Sequence, residues 1–185
     1  MFTDLPLPAV YALSALGGYV MGSPPFGLIL TRAAGIDLRA IGSGSIGATN
    51  VLRTGRKDLA LATLILDSFK AGFAVLLFGW LFFREAGLVA GAAAFLGHCY
   101  PVWLKFNGGK GVATYAGLLL FASWKGVLIG LPVWLAVFAI TRISSLSALT
   151  AAIAIPVGAW LWGESAFAVA ILTALSALVF WTHRS

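Results

Sequence analysis

The chain has 185 residues, 61% of them hydrophobic and only 10% charged. A water-soluble domain carries about a quarter charged residues, so this chain cannot clothe itself in a polar surface and belongs in a membrane. Its net charge of +6 does not argue for nucleic acid, because basic loops of a membrane protein report orientation, and no nucleic-acid partner is expected.

Seven apolar segments follow one another, at residues 7–30, 59–83, 86–104, 112–123, 127–140, 146–162 and 166–181. All are expected to be helices, since an open sheet edge cannot be satisfied in lipid. The first residues, Met1-Phe2-Thr3-Asp4-Leu5, lack a basic n-region, so the first segment reads as a mature span rather than a cleaved signal. Gly22-Ser23-Pro24-Pro25 should kink it. The fourth and fifth segments fall short of the roughly 20 residues that normally cross a bilayer. They are either tilted, thinned spans or the two arms of a re-entrant hairpin. Gly18–Gly22, Gly87–Gly91 and Gly126–Gly130 each have the G-x-x-x-G spacing that lets helices approach closely, and packing is their expected role.

Basic residues set the orientation. Arg32, Arg39, Arg53, Arg56, Lys57, Lys105, Lys110, Arg142 and Arg184 fall on one side, Arg84 and Lys125 on the other. The richer side is cytosolic by the positive-inside rule. The acidic Asp4, Glu85 and Glu164 then lie outside. The expected fold is an all-α polytopic integral membrane protein of about seven transmembrane helices. It forms a single domain over residues 1–185, with the N-terminus outside and the C-terminus cytosolic.

Two polar stretches stand out on the cytosolic side. The first, residues 42–53, contains Gly42, Ser43, Gly44, Asn50 and Arg53. Its G-x-G-x-x-G is no dinucleotide fingerprint, because no βαβ unit surrounds it, and it does not fit a nucleophile elbow. If residues 46–53 form a short interfacial helix, Asn50 and Arg53 share a face. Ser43, Asn50 and Arg53 would then offer hydroxyl, amide and guanidinium to a phosphate or carboxylate. The plainer alternative is a capped, solvated loop. The second stretch, residues 97–114, contains His98, Pro101, Lys105, Gly108, Gly109, Lys110 and Gly111. It is no Walker A loop. Its glycines can turn main-chain N–H groups toward one point, as a phosphate nest does, with Lys110 adding a charge and His98 able to carry a proton. Inside the second segment Asp67 and Lys70 lie three apart, roughly 13–18 Å along the helix from its polar start. They are either a mutually neutralising pair that fixes packing, or Asp67 holds Lys70 at the wall of an anion cavity. Cys99, the one cysteine, excludes an intrachain disulfide and a thiolate metal site. The six carboxylates are too scattered to cage a metal, so neither metal nor cofactor is expected.

Together these blocks resemble the PlsY family of bacterial integral-membrane acyltransferases. The likeness spans nearly the whole chain. It rests on G-S-G-x-x-G-x-T-N-x-x-R at 42–53, G-H-x-x-P at 97–101 with G-G-K-G-V-A-T at 108–114, and the terminal His183-Arg184. The resemblance implies transfer of a fatty acyl group from acyl phosphate to the 1-hydroxyl of sn-glycerol 3-phosphate, giving lysophosphatidic acid and phosphate in the bacterial inner membrane. Ser43 and Arg53 would be the essential polar pair, 108–111 the phosphate loop and His183 the functional histidine. Membrane lipid, and the soluble enzyme that makes acyl phosphate, are the implied partners. Ser45 stands where the family has asparagine, and Ala71 parts Lys70 from Gly72. The chain stops at Ser185, before the asparagine and basic segment that usually follow the histidine, so the third motif is expected to be incomplete.

Such a reaction needs two phosphates neutralised, a proton removed and an oxyanion held. Arg53 and Lys110, with Lys70 and Lys105 as further candidates, suit the first need. Ser43, Asn50 and the glycine N–H groups suit the last. The base is His98, His183 or the substrate's own phosphate, whose second pKa lies near 6; substrate-assisted transfer is preferred. Ser43 as an acyl-enzyme nucleophile is the lesser alternative, with no base visible beside it. An organic-phosphate transporter or channel competes with the enzyme reading, although the polar groups gather on one side and no repeat is present. A structural scaffold would leave the polar blocks without purpose.

Overall fold

The computed structural model describes residues 5–184. The expectation that the first segment is a mature span rests on residues 1–4, and these, with Asp4 among them and Ser185 at the other end, lie outside the described residues. The described chain forms helices α1 (Leu7–Gly22), α2 (Phe26–Ala33), α3 (Ala48–Leu52), α4 (Lys57–Leu81), α5 (Arg84–Cys99), α6 (Val112–Ala122), α7 (Trp124–Thr141), α8 (Ser144–Leu161) and α9 (Ala166–Thr182). Single 3-10 turns lie at Leu38–Ala40 and Val102–Leu104.

Every expected apolar segment is helical. Five helical stretches, Leu7–Ala33, Lys57–Leu81, Arg84–Leu104, Trp124–Thr141 and Ser144–Leu161, are long and apolar enough to cross a membrane. Val112–Ala122 and Ala166–Thr182 are shorter. The fifth segment is therefore longer than the sequence suggests. Ser123 explains it: the hydroxyl accepts from the Gly126 N–H at 3.2 Å and starts α7 at Trp124.

The exterior is apolar, with Trp80, Ile140, Trp160 and Leu161 largely exposed. The interior instead holds small and hydroxylated residues, which is the arrangement lipid favours. Buried Ser14, Thr31, Thr63 and Ser147 each return their hydroxyl to a carbonyl one turn back in their own helix. Phe95, Leu118, Leu172 and Val179, from α5, α6 and α9, fill the main core.

The expected kink in the first span is a full break. Helix α1 ends at Gly22 and α2 begins at Phe26, with Pro25 at its cap. Proline at 24 and 25 supplies no N–H to continue the ladder, and the Pro24 carbonyl at the break accepts from the Phe26 N–H at 3.2 Å. The G-x-x-x-G pairs lie at contacts as expected: Gly18 and Gly22 abut the backbone of Ala90 and Ala94, Gly87 meets Val75 and Gly79, and Gly130 meets Ile155.

The polar groups segregate to the two ends of the bundle. At one end Arg84 pairs with Glu164 at 2.7 Å and Lys125 donates to the Trp162 carbonyl at 2.7 Å. At the other, Arg39 reaches the Asn107 carbonyl at 2.6 Å and Thr182 reaches that of Lys110 at 3.0 Å.

Because a Cβ at Gly22 would run into the Ala94 backbone rather than a side chain that can move, Gly22→Leu must push α1 from α5. We expect it to cost about 1–3 kcal/mol or more, read as a lower melting temperature in detergent. An unchanged melting temperature would contradict the close approach.

Candidate active site

The site is built on a buried polar knot between helices. The Lys70 ammonium donates to Asp67 Oδ1 at 2.8 Å and to the Pro24 carbonyl at 3.0 Å, and lies 2.8 Å from His98 Nδ1. All three of its N–H groups thus have acceptors. A protonated lysine can only donate, so His98 Nδ1 must accept and its proton must sit on Nε2. That nitrogen faces the backbone of Gly109, where a Cβ would overlap the imidazole. Asp67 Oδ1 is also 3.5 Å from His98 Nδ1. The histidine does have a carboxylate beside it, supplied from 31 positions earlier in the chain.

From the end of α5 hangs the glycine-rich loop. Gly108 and Gly109 donate their N–H groups to the Cys99 and His98 carbonyls, both at 3.0 Å. These bonds satisfy carbonyls that a helix end leaves open. The expected nest is therefore corrected in part, since two of its N–H groups point back at α5 instead of converging on a ligand. Gly111 adopts φ +82° at the start of α6, and a side chain there would strike Phe95 and Cys99. Trp103 donates from its indole to the Ser23 carbonyl at 3.0 Å, and Tyr19 donates to the Tyr100 carbonyl at 2.8 Å. Both bonds fasten the loop to the broken first span.

The first motif folds around Asn50, which is 2% exposed. Its amide donates to the Leu38 and Ser45 carbonyls at 3.2 and 2.9 Å, and its Oδ1 accepts from the Ser43 N–H at 3.2 Å. Asn50 is thereby corrected from oxyanion donor to loop scaffold, because both its N–H groups are engaged. The short helix is Ala48–Leu52, with Arg53 at its C-cap. Gly42 (φ +55°) admits no side chain, since a Cβ would lie 2.7 Å from Arg53 Nη1. The guanidinium thus packs beneath the Ser43 turn.

Between the two loops and the C-terminus lies a cleft of about 480 Å³. Of the expected residues, Ser43, Gly44, Gly108, Gly109 and Lys110 line it; Arg39, Ser45, Tyr100, Phe106, Asn107, Trp181, Thr182 and Arg184 line it too. Gly42 and Arg53 stand behind its first wall and Lys105 on the turn before Asn107. Lys70 and His98 lie beneath the loop, 5% and 3% exposed. Lys70 is corrected from a cavity lining to a buried strut, its donors being fully engaged. His98, one of the three candidate bases, is packed under the loop and not at the cleft wall. His183 donates from Nδ1 to the Val179 carbonyl at 2.7 Å, which leaves Nε2 as an acceptor when the ring is neutral. Partial burial pushes its pKa below the ordinary value, and the Lys110 charge adds to the effect. Arg184 lies 3.1 Å over the Trp181 ring. Among the described residues no three His, Cys, Asp or Glu converge as a metal cage.

An apolar helical bundle with a basic, aromatic-rimmed cleft at one end is the architecture of a polytopic membrane protein with a candidate anion site. The chain is similar to the crystal structure of PlsY, an integral membrane glycerol 3-phosphate acyltransferase, in its glycerol 3-phosphate form. That match has a TM-score of 0.89 and 33% identity, covering 94% of this chain and 88% of that one. The lysophosphatidic acid form matches with a TM-score of 0.87 and 32% identity over the same shares. The chain belongs to the glycerol-3-phosphate acyltransferase family, whose model matches residues 12–185. The glycerol-3-phosphate acyltransferase of Hyphomonas neptunium is 64% identical over 183 residues, 97% of this chain and 88% of that protein. That of Maricaulis maris is 58% identical over 173 residues, 93% and 80%.

Removing one partner of a buried ion pair strands the other. Asp67→Ala should cost about 3–5 kcal/mol, and Asp67→Leu with Lys70→Met should recover most of it. Equal melting temperatures for the single and double variants would contradict the pairing. A second expectation concerns pH. His183 is held neutral to lower pH in the fold than in the unfolded chain, which protonates it near pH 6.5. The stability it confers is present above about pH 6.5 and is lost as pH falls toward its depressed folded value. His183→Gln should flatten that limb of the melting-temperature profile; an unchanged limb would assign it to another group.

Proposed function

We propose that this protein transfers a fatty acyl group from acyl phosphate to the 1-hydroxyl of sn-glycerol 3-phosphate, yielding lysophosphatidic acid and inorganic phosphate. The membrane is the bacterial inner membrane. In this reading seven helices embed in it, with the N-terminus outside and the cleft and C-terminus on the cytosolic side. The soluble enzyme that makes acyl phosphate supplies the donor there. The observation that carries the reading is the meeting of three blocks, remote in sequence, at one cleft. Cationic Arg39, Lys110 and Arg184 share that cleft with Tyr100, Phe106 and Trp181. Charge for phosphate and aromatic surface for an acyl chain thus lie side by side.

The acceptor hydroxyl oxygen attacks the acyl carbonyl carbon, the bond from that carbon to the phosphate oxygen breaks, and phosphate departs. Lys110 and Arg184, with Arg53 behind Ser43, neutralise the two phosphates. Ser43 offers its hydroxyl to the developing oxyanion. The proton of the attacking hydroxyl passes to a phosphate oxygen of the substrate, whose second pKa near 6 suits it. Burial of His98 beneath Gly109 supports this route over a histidine base at position 98. His183, with Nε2 free to accept, orients the acceptor.

Purified protein given acyl phosphate should release phosphate faster when glycerol 3-phosphate is added, and acyl-CoA should not replace the donor. Ser43→Ala and Lys110→Ala should lower turnover by about 10²-fold or more, while His98→Gln keeps measurable turnover. Absence of stimulation by the acceptor would overturn the reaction. A covalent acyl adduct on Ser43 would replace direct transfer with an acyl-enzyme route.

A further inference from the structure

We propose that Arg39 is a positioning residue for this reaction, a clamp that holds the two walls of the cleft at their working separation. The proposal rests on the acyltransferase reading above. Arg39 donates from Nη1 to the Gly44 carbonyl at 3.0 Å and from Nη2 to the Asn107 carbonyl at 2.6 Å. One carbonyl belongs to the serine motif and the other to the glycine-rich loop, so a single guanidinium spans the cleft it lines. Ser43 stands one residue before the first carbonyl, and Lys110 three residues after the second. The length of the bridge therefore sets how far the hydroxyl lies from the ammonium.

One of the two anchored turns has backbone that does not hold itself cheaply. Glycine accommodates φ +64° at position 44 readily, but Asn107 follows Lys105 and Phe106 at φ +52° and +61°. A phenylalanine in the left-handed region is rare and persists only where its surroundings fix it. Local bonds from Phe106 to the Pro101 carbonyl and from Asn107 to the Leu104 carbonyl, both 3.0 Å, close the turn upon itself. Arg39 ties that turn to the opposite wall.

The clamp is itself rigidly mounted. The Arg39 N–H donates to the Asp37 carboxylate at 3.1 Å. Its neighbour Leu38 is fully buried in a small core with Leu28, Ile46 and Val51. The guanidinium presents two separate nitrogens, Nη1 and Nη2, in a fixed plane, one to each carbonyl, whereas a lysine would bring a single nitrogen on a shorter head to both. Neither bond involves a carboxylate, so the arginine is placed by shape and not by charge pairing. The exposed side chain also makes substitution tolerable for the fold.

The test compares R39K and R39A with the wild-type protein in acceptor-dependent phosphate release, alongside hydrogen exchange of residues 42–47 and 105–109. A clamp predicts that both variants lose kcat by about tenfold or more, with KM for glycerol 3-phosphate changed by less than about threefold. It also predicts faster exchange in both loops, including the one remote in sequence. Should R39A fold poorly, R39K keeps the charge and most of the stem and carries the test alone. If R39K behaves like wild type while R39A raises KM, Arg39 contacts the substrate by charge and the clamp is wrong. Unchanged kinetics in both variants, or unchanged exchange at 105–109, overturns it equally. Wild-type protein without acceptor-dependent release would instead sink the acyltransferase reading, while accelerated exchange would still report the clamp.

Discussion

An ammonium group among apolar helices must find an acceptor for each of its N–H groups, and Lys70 finds three from three places. They are the carboxylate of Asp67 on its own helix, the imidazole of His98 on α5 and the Pro24 carbonyl at the break in the first span. An unpaired charge there would be expensive, so these elements are held in one arrangement. The break at the proline pair sets the Pro24 carbonyl where the lysine can donate to it. The lysine fixes the tautomer of His98, and His98 with Cys99 presents the carbonyls on which Gly108 and Gly109 hang. Displacing this knot would displace the loop above it.

The same economy runs through both walls of the cleft. Polar groups that look available in sequence hold the backbone in place: the Asn50 amide, the Ser43 N–H and two glycine N–H groups. The cleft itself is lined by Ser43 and by the side chains of Lys110, Arg39 and Arg184 beside three aromatic rings. A rigid, preorganised backbone with cationic side chains suits a reaction whose leaving group is already good, because such chemistry needs placement and charge neutralisation more than a powerful nucleophile.

Much of this was legible in the chain itself. Apolar runs located every long helix, the proline pair located the break, and the glycine spacings located several close helix contacts. The motif blocks were legible as neighbours at one end of the bundle, because charge segregation along a polytopic chain is itself a map of ends. Contacts between distant positions were not legible. Nothing in the spacing of Asp67 or His98 says that they meet, and Asn50 looks the same in sequence whether its amide faces a ligand or a carbonyl. Arg39 read as one more orientation charge, since its value lies in reaching Asn107 across 68 positions. Tyr100, Phe106 and Trp181 were hidden for another reason: in a chain this apolar, an aromatic at a cleft carries the same signal as one facing lipid.

The account stands on one site, a cationic cleft where loops 42–47 and 105–110 meet the end of α9. A crystal structure of this protein soaked with glycerol 3-phosphate tests it most directly. Phosphate density within hydrogen-bonding reach of Lys110 and Ser43 is the predicted result. Density at the opposite end of the bundle, near Arg84 and Lys125, with the cleft empty, would contradict it.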